Sequence, residues 1–220
     1  MDHHRYWCKV LNNPEGARVL VTEHVVGRLG ALIGIPVCGV ELVRIPPDFV
    51  GWKFADGLTL EEGWAHGSLA IENATETHAL DHRPNDDNTR RHAGIFALAD
   101  WLCAADHQWL IQVTADNMYH SHDHGQFLPG ASGWTTQSLE AARDSDFSLG
   151  LPTDGLHQAE LQRLADSLEE LMPDAMASAI SDVPVDWPVT DDELEALVAF
   201  ADYRRVPVAE RLRALAAASS

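Results

Sequence analysis

Ala105-Asp106-His107-Gln108-Trp109-Leu110, with Tyr119-His120-Ser121-His122-Asp123-His124-Gly125 a short interval later, is the stretch that decides the fold. Trp109, Ile111 and Val113 alternate with polar residues, Asp116-Asn117 supplies a turn, and Met118 to His122 runs back, which predicts a β-hairpin. A first strand returning to Asp-His-Gly carries Asp106 and Asp123 to the same end of that hairpin. Two convergent carboxylates suit a division of labour in which one accepts a proton and the other binds a metal ion.

The composition around this stretch bounds the answer. The 220 residues suffice for one large domain or two small lobes, and a hydrophobic share of 45% marks an ordinary globular chain. Acidic residues number 34 against 15 basic ones, a formal net charge of −19. A field of that sign repels nucleic-acid backbones and anionic membranes, so neither is expected as a partner. A nucleotide would need a local arrangement of Lys, backbone N–H and metal. Solubility alone explains much of the charge. Cys8, Cys38 and Cys103 are far apart, form no Cys-x-x-Cys pair, and have apolar neighbours that predict buried free thiols. The start, Met-Asp-His-His-Arg, holds no apolar signal segment, and no run reaches membrane-spanning length, so a cytoplasmic protein is expected.

Upstream of the hairpin, Arg5 to Leu11 reads as a strand, Asn12-Asn13-Pro14-Glu15-Gly16 as a turn, and Ala17 to Ile33 as a helix that Gly34 and Pro36 terminate. Cys38 to Ile45 alternates as a second strand. A further short strand is expected over Phe49 to Phe54, irregular chain over Asp56 to Ser68, and a linker or surface helix over Glu72 to Asn88. Thr89 to Ala104 carries a helical stripe of Ile95, Phe96, Leu98, Ala99 and Leu102. Downstream, turn-rich sequence leads to helical patterns: His157 to Leu171, a capping box at Thr190 and Glu193, and a last helix opened by Pro207.

Lys9 lies within the first strand and Glu23 on the helix that follows. Alone, they read as a surface lysine and a solvated glutamate, yet a strand lysine facing a helical glutamate is also how protein kinases hold ATP phosphates. The order of parts is also that of a kinase, and the wording resembles the bacterial HipA-like kinase family. Tyr6-Trp7-Cys8-Lys9-Val10, the Asn12–Gly16 turn and Leu20-Val21-Thr22-Glu23 are similar to that family's lysine strand, linker and glutamate helix. Leu32-Ile33-Gly34-Ile35-Pro36-Val37 is similar to its helix-to-strand turn. Asp100-Trp101-Leu102, Asp106-His107-Gln108-Trp109-Leu110 and Ser121-His122-Asp123-His124-Gly125-Gln126-Phe127 are similar to its catalytic and metal-binding segments. The likeness covers roughly residues 5–130 directly; the tail, with Tyr203-Arg204-Arg205, agrees less specifically.

The resemblance implies an α+β, protein-kinase-like fold in a single domain. Residues 1–72 would form a partial small lobe of strand, helix and strand, 73–88 a linker, and 89–220 a larger, mainly helical lobe. It implies ATP and Mg²⁺ as cofactors and a protein or small molecule as hydroxyl acceptor. Lys9 would pair the phosphates, Glu23 would orient Lys9, Asp106 would accept the hydroxyl proton, and Asp123 would bind Mg²⁺. Two departures stand out. Ile111 occupies the place of the usual metal-binding Asn, so Gln108 is the nearest amide able to offer a carbonyl oxygen. Only eight residues precede Lys9, where a kinase places two strands and a glycine-rich loop, so the expectation is either a start lost or misassigned or a truncated lobe that binds nucleotide poorly.

A catalytically impaired pseudokinase or binding module is the alternative these departures suggest. A second alternative rests on His120, His122 and His124, which alternate and would share one strand face, a spacing able to hold Zn²⁺ in a His/Asp hydrolase. Hydrogen bonding within the hairpin is the plainer role for them. The seven tryptophans read as packing, the Leu161–Leu171 stripe as core, and Asp191-Asp192-Glu193 as a helix N-terminus that favours negative charge.

Overall fold

The computed structural model describes residues 3–53, 58–79, 81–85, 87–146 and 151–218. Two small antiparallel sheets and six helices make up the described chain. Strands β1 (Tyr6–Lys9), β2 (Val40–Ile45) and β3 (Gly63–Leu69) form the first sheet in the order β1-β3-β2. Strands β4 (Ala74–Thr77), β5 (Gln108–Gln112) and β6 (Met118–His122) form the second in sequence order. The helices are α1 (Val19–Leu32), α2 (Asn88–Leu102), α3 (Thr136–Ala142), α4 (Gln158–Glu170), α5 (Pro173–Ala179) and α6 (Asp191–Ala218).

Helix α1 is apolar on nearly every side, and eleven of its residues, from Val19 to Gly30, are buried. A helix of that kind belongs inside rather than on a surface. Its one acidic side chain, Glu23, is therefore carried into the interior. A Cβ at Gly27 would collide with Val40, so the glycine sets how closely α1 lies under β2. After α1 the chain clips onto the hairpin: Ser121 N–H donates to Pro36 O at 2.7 Å and Cys38 N–H to Ser121 O at 3.0 Å. That clip joins the first sheet's connection to the strand that ends at Asp123.

Several expectations need correction. The stretch read as irregular contains β3, the central strand of the first sheet; Ala65, Gly67 and Ser68 are too small to give a strong alternation. The stretch read as linker or surface helix contributes β4, a mostly polar edge strand that pairs with β5. Phe49 to Phe54 is not a strand: Pro47–Phe49 is a turn of 3-10 helix, and Phe54 lies outside the described residues. Just past the turn-rich Pro129–Gly133 the chain forms α3, absent from the expectation and opened by a capping box between Thr135 and Ser138. Pro207 does not open a helix but sits inside α6. It cannot donate to the carbonyl four residues back; burial of Val208, Ala209 and Leu212 beyond it keeps the helix continuous. Two further corrections concern exposure. Cys38 and Cys103 are buried free thiols but Cys8 is exposed, and Trp7 and Trp52 are 73% and 60% exposed.

Trp101, Trp109 and Trp134 are fully buried at the centre of one continuous core. Helix α6 packs along α4 and touches α2, α3 and α5. No helix among the described residues is long and apolar enough to cross a membrane.

Candidate functional site

Lys9 closes β1 opposite His66 of β3, so both side chains reach the same side of the first sheet. The Lys9 Nζ lies 2.5 Å from Glu23 Oε1 and 2.5 Å from Asp123 Oδ1. Asp123 follows β6 with φ 54°, a left-handed turn that Asp tolerates better than most residues. The turn swings the chain into a 3-10 helix at His124–Gln126, where the His124 N–H donates to Glu23 Oε2 at 2.8 Å. Glu23 thus holds the lysine with one oxygen and the Asp123 loop with the other. Gly125 is required at this junction: a Cβ there would stand 2.7 Å from Val19 Cγ1, 3.3 Å from Lys9 Nζ and 3.4 Å from Glu23 Oε1.

The electrostatics follow from burial. Desolvation pushes the buried Glu23 carboxyl up to about 7, against the pull of Lys9. Burial alone would depress the Lys9 ammonium, but Glu23 and Asp123 outweigh it and hold the lysine above its usual range. For Asp123 burial raises and Lys9 lowers, and the net shift is downward. One cation therefore faces two carboxylates, leaving an excess negative charge. Burial keeps the surrounding imidazoles neutral: His66 is held well below its ordinary value, His122 below it, and His124 at about 3.

A cavity of about 430 Å³ opens on this cluster. Lys9, Glu23, His122 and Asp123 stand at its charged part, while Trp7, Leu69, Ile71, Ala74 and Leu110 supply apolar wall. Asp106 and Gln108 are not among the lining residues. The register Gln108↔His122, together with the Ala105 N–H donating to Gln126 O at 3.0 Å, places both beside the Asp123 turn at one end of the hairpin. Asp106 Oδ1 accepts from the His107 N–H at 2.8 Å and its Oδ2 from Gln108 Nε2 at 3.3 Å. Gln108 Oε1 is buried with no hydrogen-bond partner among the described residues.

These donors fit a hard divalent cation. Asp123 has one oxygen not engaged by Lys9, Gln108 offers an orphaned amide oxygen, and Mg²⁺ takes oxygen ligands from few side chains. They do not fit the histidine zinc alternative. Strand β6 ends at His122, and the Asp123 turn sends His124 into the core, where its ring bonds Ser121 Oγ at 2.9 Å and meets Phe127 edge-on. His120 is tied to Gln112 at 3.2 Å. The three rings do not share a face, and no group of three or more His, Cys, Asp or Glu side chains suited to a metal occurs among the described residues.

The sequence pointed to the Lys9, Glu23 and Asp123 triad and set His66 near the cleft without a role, but it did not assign Trp7 to the cavity. Trp7 lies two positions before Lys9 and so shares its strand face, a signal present in the sequence. His66 is fixed opposite Lys9 only once β3 is recognised.

No protein-family model matches the chain, and no curated protein matches it by sequence. Solved structures do. The proinflammatory kinase CtkA of Helicobacter pylori aligns over 100% of this chain and 90% of its own, with 12% identity and a TM-score of 0.61. HipA of Shewanella oneidensis MR-1, solved with HipB and operator DNA, aligns over 91% of this chain and 57% of its own, with 14% identity and a TM-score of 0.38. In fold, the chain is similar to the kinase CtkA.

Proposed function

We propose that the chain binds ATP with Mg²⁺ and transfers the γ-phosphoryl group to a hydroxyl of a protein or small molecule. The observation that carries this is Lys9, held between Glu23 and Asp123 at the charged end of a cavity whose remaining wall is apolar. Polyphosphate would take the Lys9 end and a nucleobase the end walled by Leu69, Ile71 and Leu110, with Trp7 at the lip. Phosphate oxygens would replace Asp123 as partners of Lys9, and Glu23 would keep the ammonium in place. Asp123, so released, and Gln108 would hold Mg²⁺, which when bound supplies charge neutralisation at the phosphates. Asp106, beside the same turn, would accept the proton of the attacking hydroxyl, a role that depends first on geometry.

Calorimetry tests the binding step. Wild-type chain should bind ATP in the micromolar range only with Mg²⁺ present, and Asp123→Ala should abolish that heat. A folded wild-type chain that binds no nucleotide would overturn the proposal. A second reading, a nucleotide-binding module without turnover, is favoured by Ile111 at the usual Asn position and by Asp106 and Gln108 lying outside the cavity wall. Binding without hydrolysis or transfer of the γ-phosphate would select it.

A further inference from the structure

A second concavity lies far along the chain from the Lys9 cluster, between α5 and α6. It measures about 440 Å³ and has an apolar floor built by Ala177, Ile180, Leu194 and Val198. Its two banks differ. The α5 bank, Pro173, Ala177, Ile180 and Ser181, carries no charge, whereas the α6 bank presents Asp191, Glu195 and Asp202, and no Lys or Arg lines the groove. Spacings of four and seven residues place these three acids in one row along the helix.

Several acids of this helical region are neutralised, though Glu170 and Asp174 are not among them. Arg213 pairs with Asp166 and Glu169, Arg90 and Arg163 with Glu160, and Arg18 with Glu193. On the groove's bank Asp202 pairs with Arg205 at 2.6 Å, but Asp191 and Glu195 enter no ion pair among the described residues. A dipole at the helix N-terminus accounts for Asp191; Glu195 lies beyond the first turn, where that effect has faded.

We infer that this groove docks an amphipathic helix of another protein, with apolar side chains on the Leu194/Val198 floor and Lys or Arg along its α6 edge. Charge complementarity selects this occupant. A second copy of the chain would bring its own net charge of −19 against the same acidic bank, which opposes self-association. Helix-in-groove recognition needs only an apolar seam and a matching charged edge.

The test is fluorescence anisotropy on the whole chain with a labelled 18-residue Leu/Lys amphipathic peptide, its Leu/Glu counterpart serving as comparison. The Leu/Lys peptide should bind and the Leu/Glu peptide should not. Val198→Arg, which puts a cation on the floor, should weaken binding about tenfold or more, and Glu195→Lys about fivefold. Glu210→Lys, an exposed charge reversal on α6 outside the groove, should leave it unchanged. Circular dichroism confirms that each variant is folded, and Glu195→Lys keeps the test valid if Val198→Arg is not. Equal weakening by Glu195→Lys and Glu210→Lys would mean non-specific attraction to an acidic surface and overturn the inference. So would binding of the Leu/Glu peptide, absence of binding, or a concentration-dependent dimer that Val198→Arg dissolves.

Discussion

Two charge clusters of this molecule, one around Arg204 and one around Lys9, are built on opposite plans. Around Arg204, which is 1% exposed, every donor has a partner. Its Nε donates to Trp101 O, its Nη1 to the carbonyls of Ala142, Arg143 and Ser145, and its Nη2 to Asp100. Arg211 closes the other side of Asp100 with two bonds of 2.8 Å. Around Lys9, by contrast, one cation meets two carboxylates, and His66 Nδ1, His122 Nε2 and Gln108 Oε1 are buried without hydrogen-bond partners among the described residues. The first cluster is complete and closed. The second is in deficit and faces a cavity, as expected where a cationic and polar ligand finishes the network.

The contrast is broken most severely at Arg204. Arg204→Met should cost about 3–5 kcal/mol, because Asp100 and three loop carbonyls lose their donor inside the fold. That corresponds to a melting temperature lower by roughly 6–20 °C, with no specific effect on nucleotide affinity if the chain is kept below that point. Equal stability would show the cluster to be dispensable.

Next in size is the acid response of two buried histidines outside the Arg204 cluster. His92, buried with neither ring nitrogen hydrogen-bonded among the described residues, is held at about 4, and His124 at about 3; burial is the leading cause in each. Both are neutral when folded and take up protons near 6.5 when unfolded. Their stabilisation is therefore present above about pH 6.5 and is lost as pH falls towards those folded values. Between pH 6.5 and 5 each contributes on the order of 2 kcal/mol of lost stability, which urea titrations at the two pH values would read. Glu23 opposes them with the reverse sign, since its raised value favours the fold at lower pH.

That sign sharpens the comparison at Lys9. In Lys9→Met the buried Glu23 loses its cation and is tolerated only when protonated, so the variant should lose more stability at pH 8 than at pH 6. The same loss at both would mean that Glu23 stays ionised by other means. The smallest effect is expected at Asp123→Asn, which removes the excess charge: stability should stay within about 1 kcal/mol of wild type or rise, while Mg²⁺-dependent nucleotide binding disappears.

The two clusters were also unequally legible. Lys9, Glu23 and Asp123 could be read because each lies in a short segment that resembles a kinase part: a strand before a turn, the helix after it, an Asp-His-Gly after a hairpin; the local pattern alone would have left Lys9 and Glu23 as surface residues. Arg204 could not, because its partners are carbonyls about 60 and about 100 residues away, and backbone carbonyls carry no sequence signal. Strand β3 was hidden for another reason. A central strand needs close-packing residues more than bulk, and Trp64-Ala65-His66-Gly67-Ser68-Leu69 looks like a loop until its two neighbours are in place. The groove between α5 and α6 left only an acidic run in the sequence, readily explained as a helix start.

Gly125 places a genetic constraint on the chain. Val19 fills the space where any side chain at 125 would begin, so the two positions share one volume. In a randomised library scored for nucleotide binding, Gly125→Ala should be lost as a single change. It should be recovered preferentially together with Val19→Ala, a pair 106 positions apart in sequence that would vary as one.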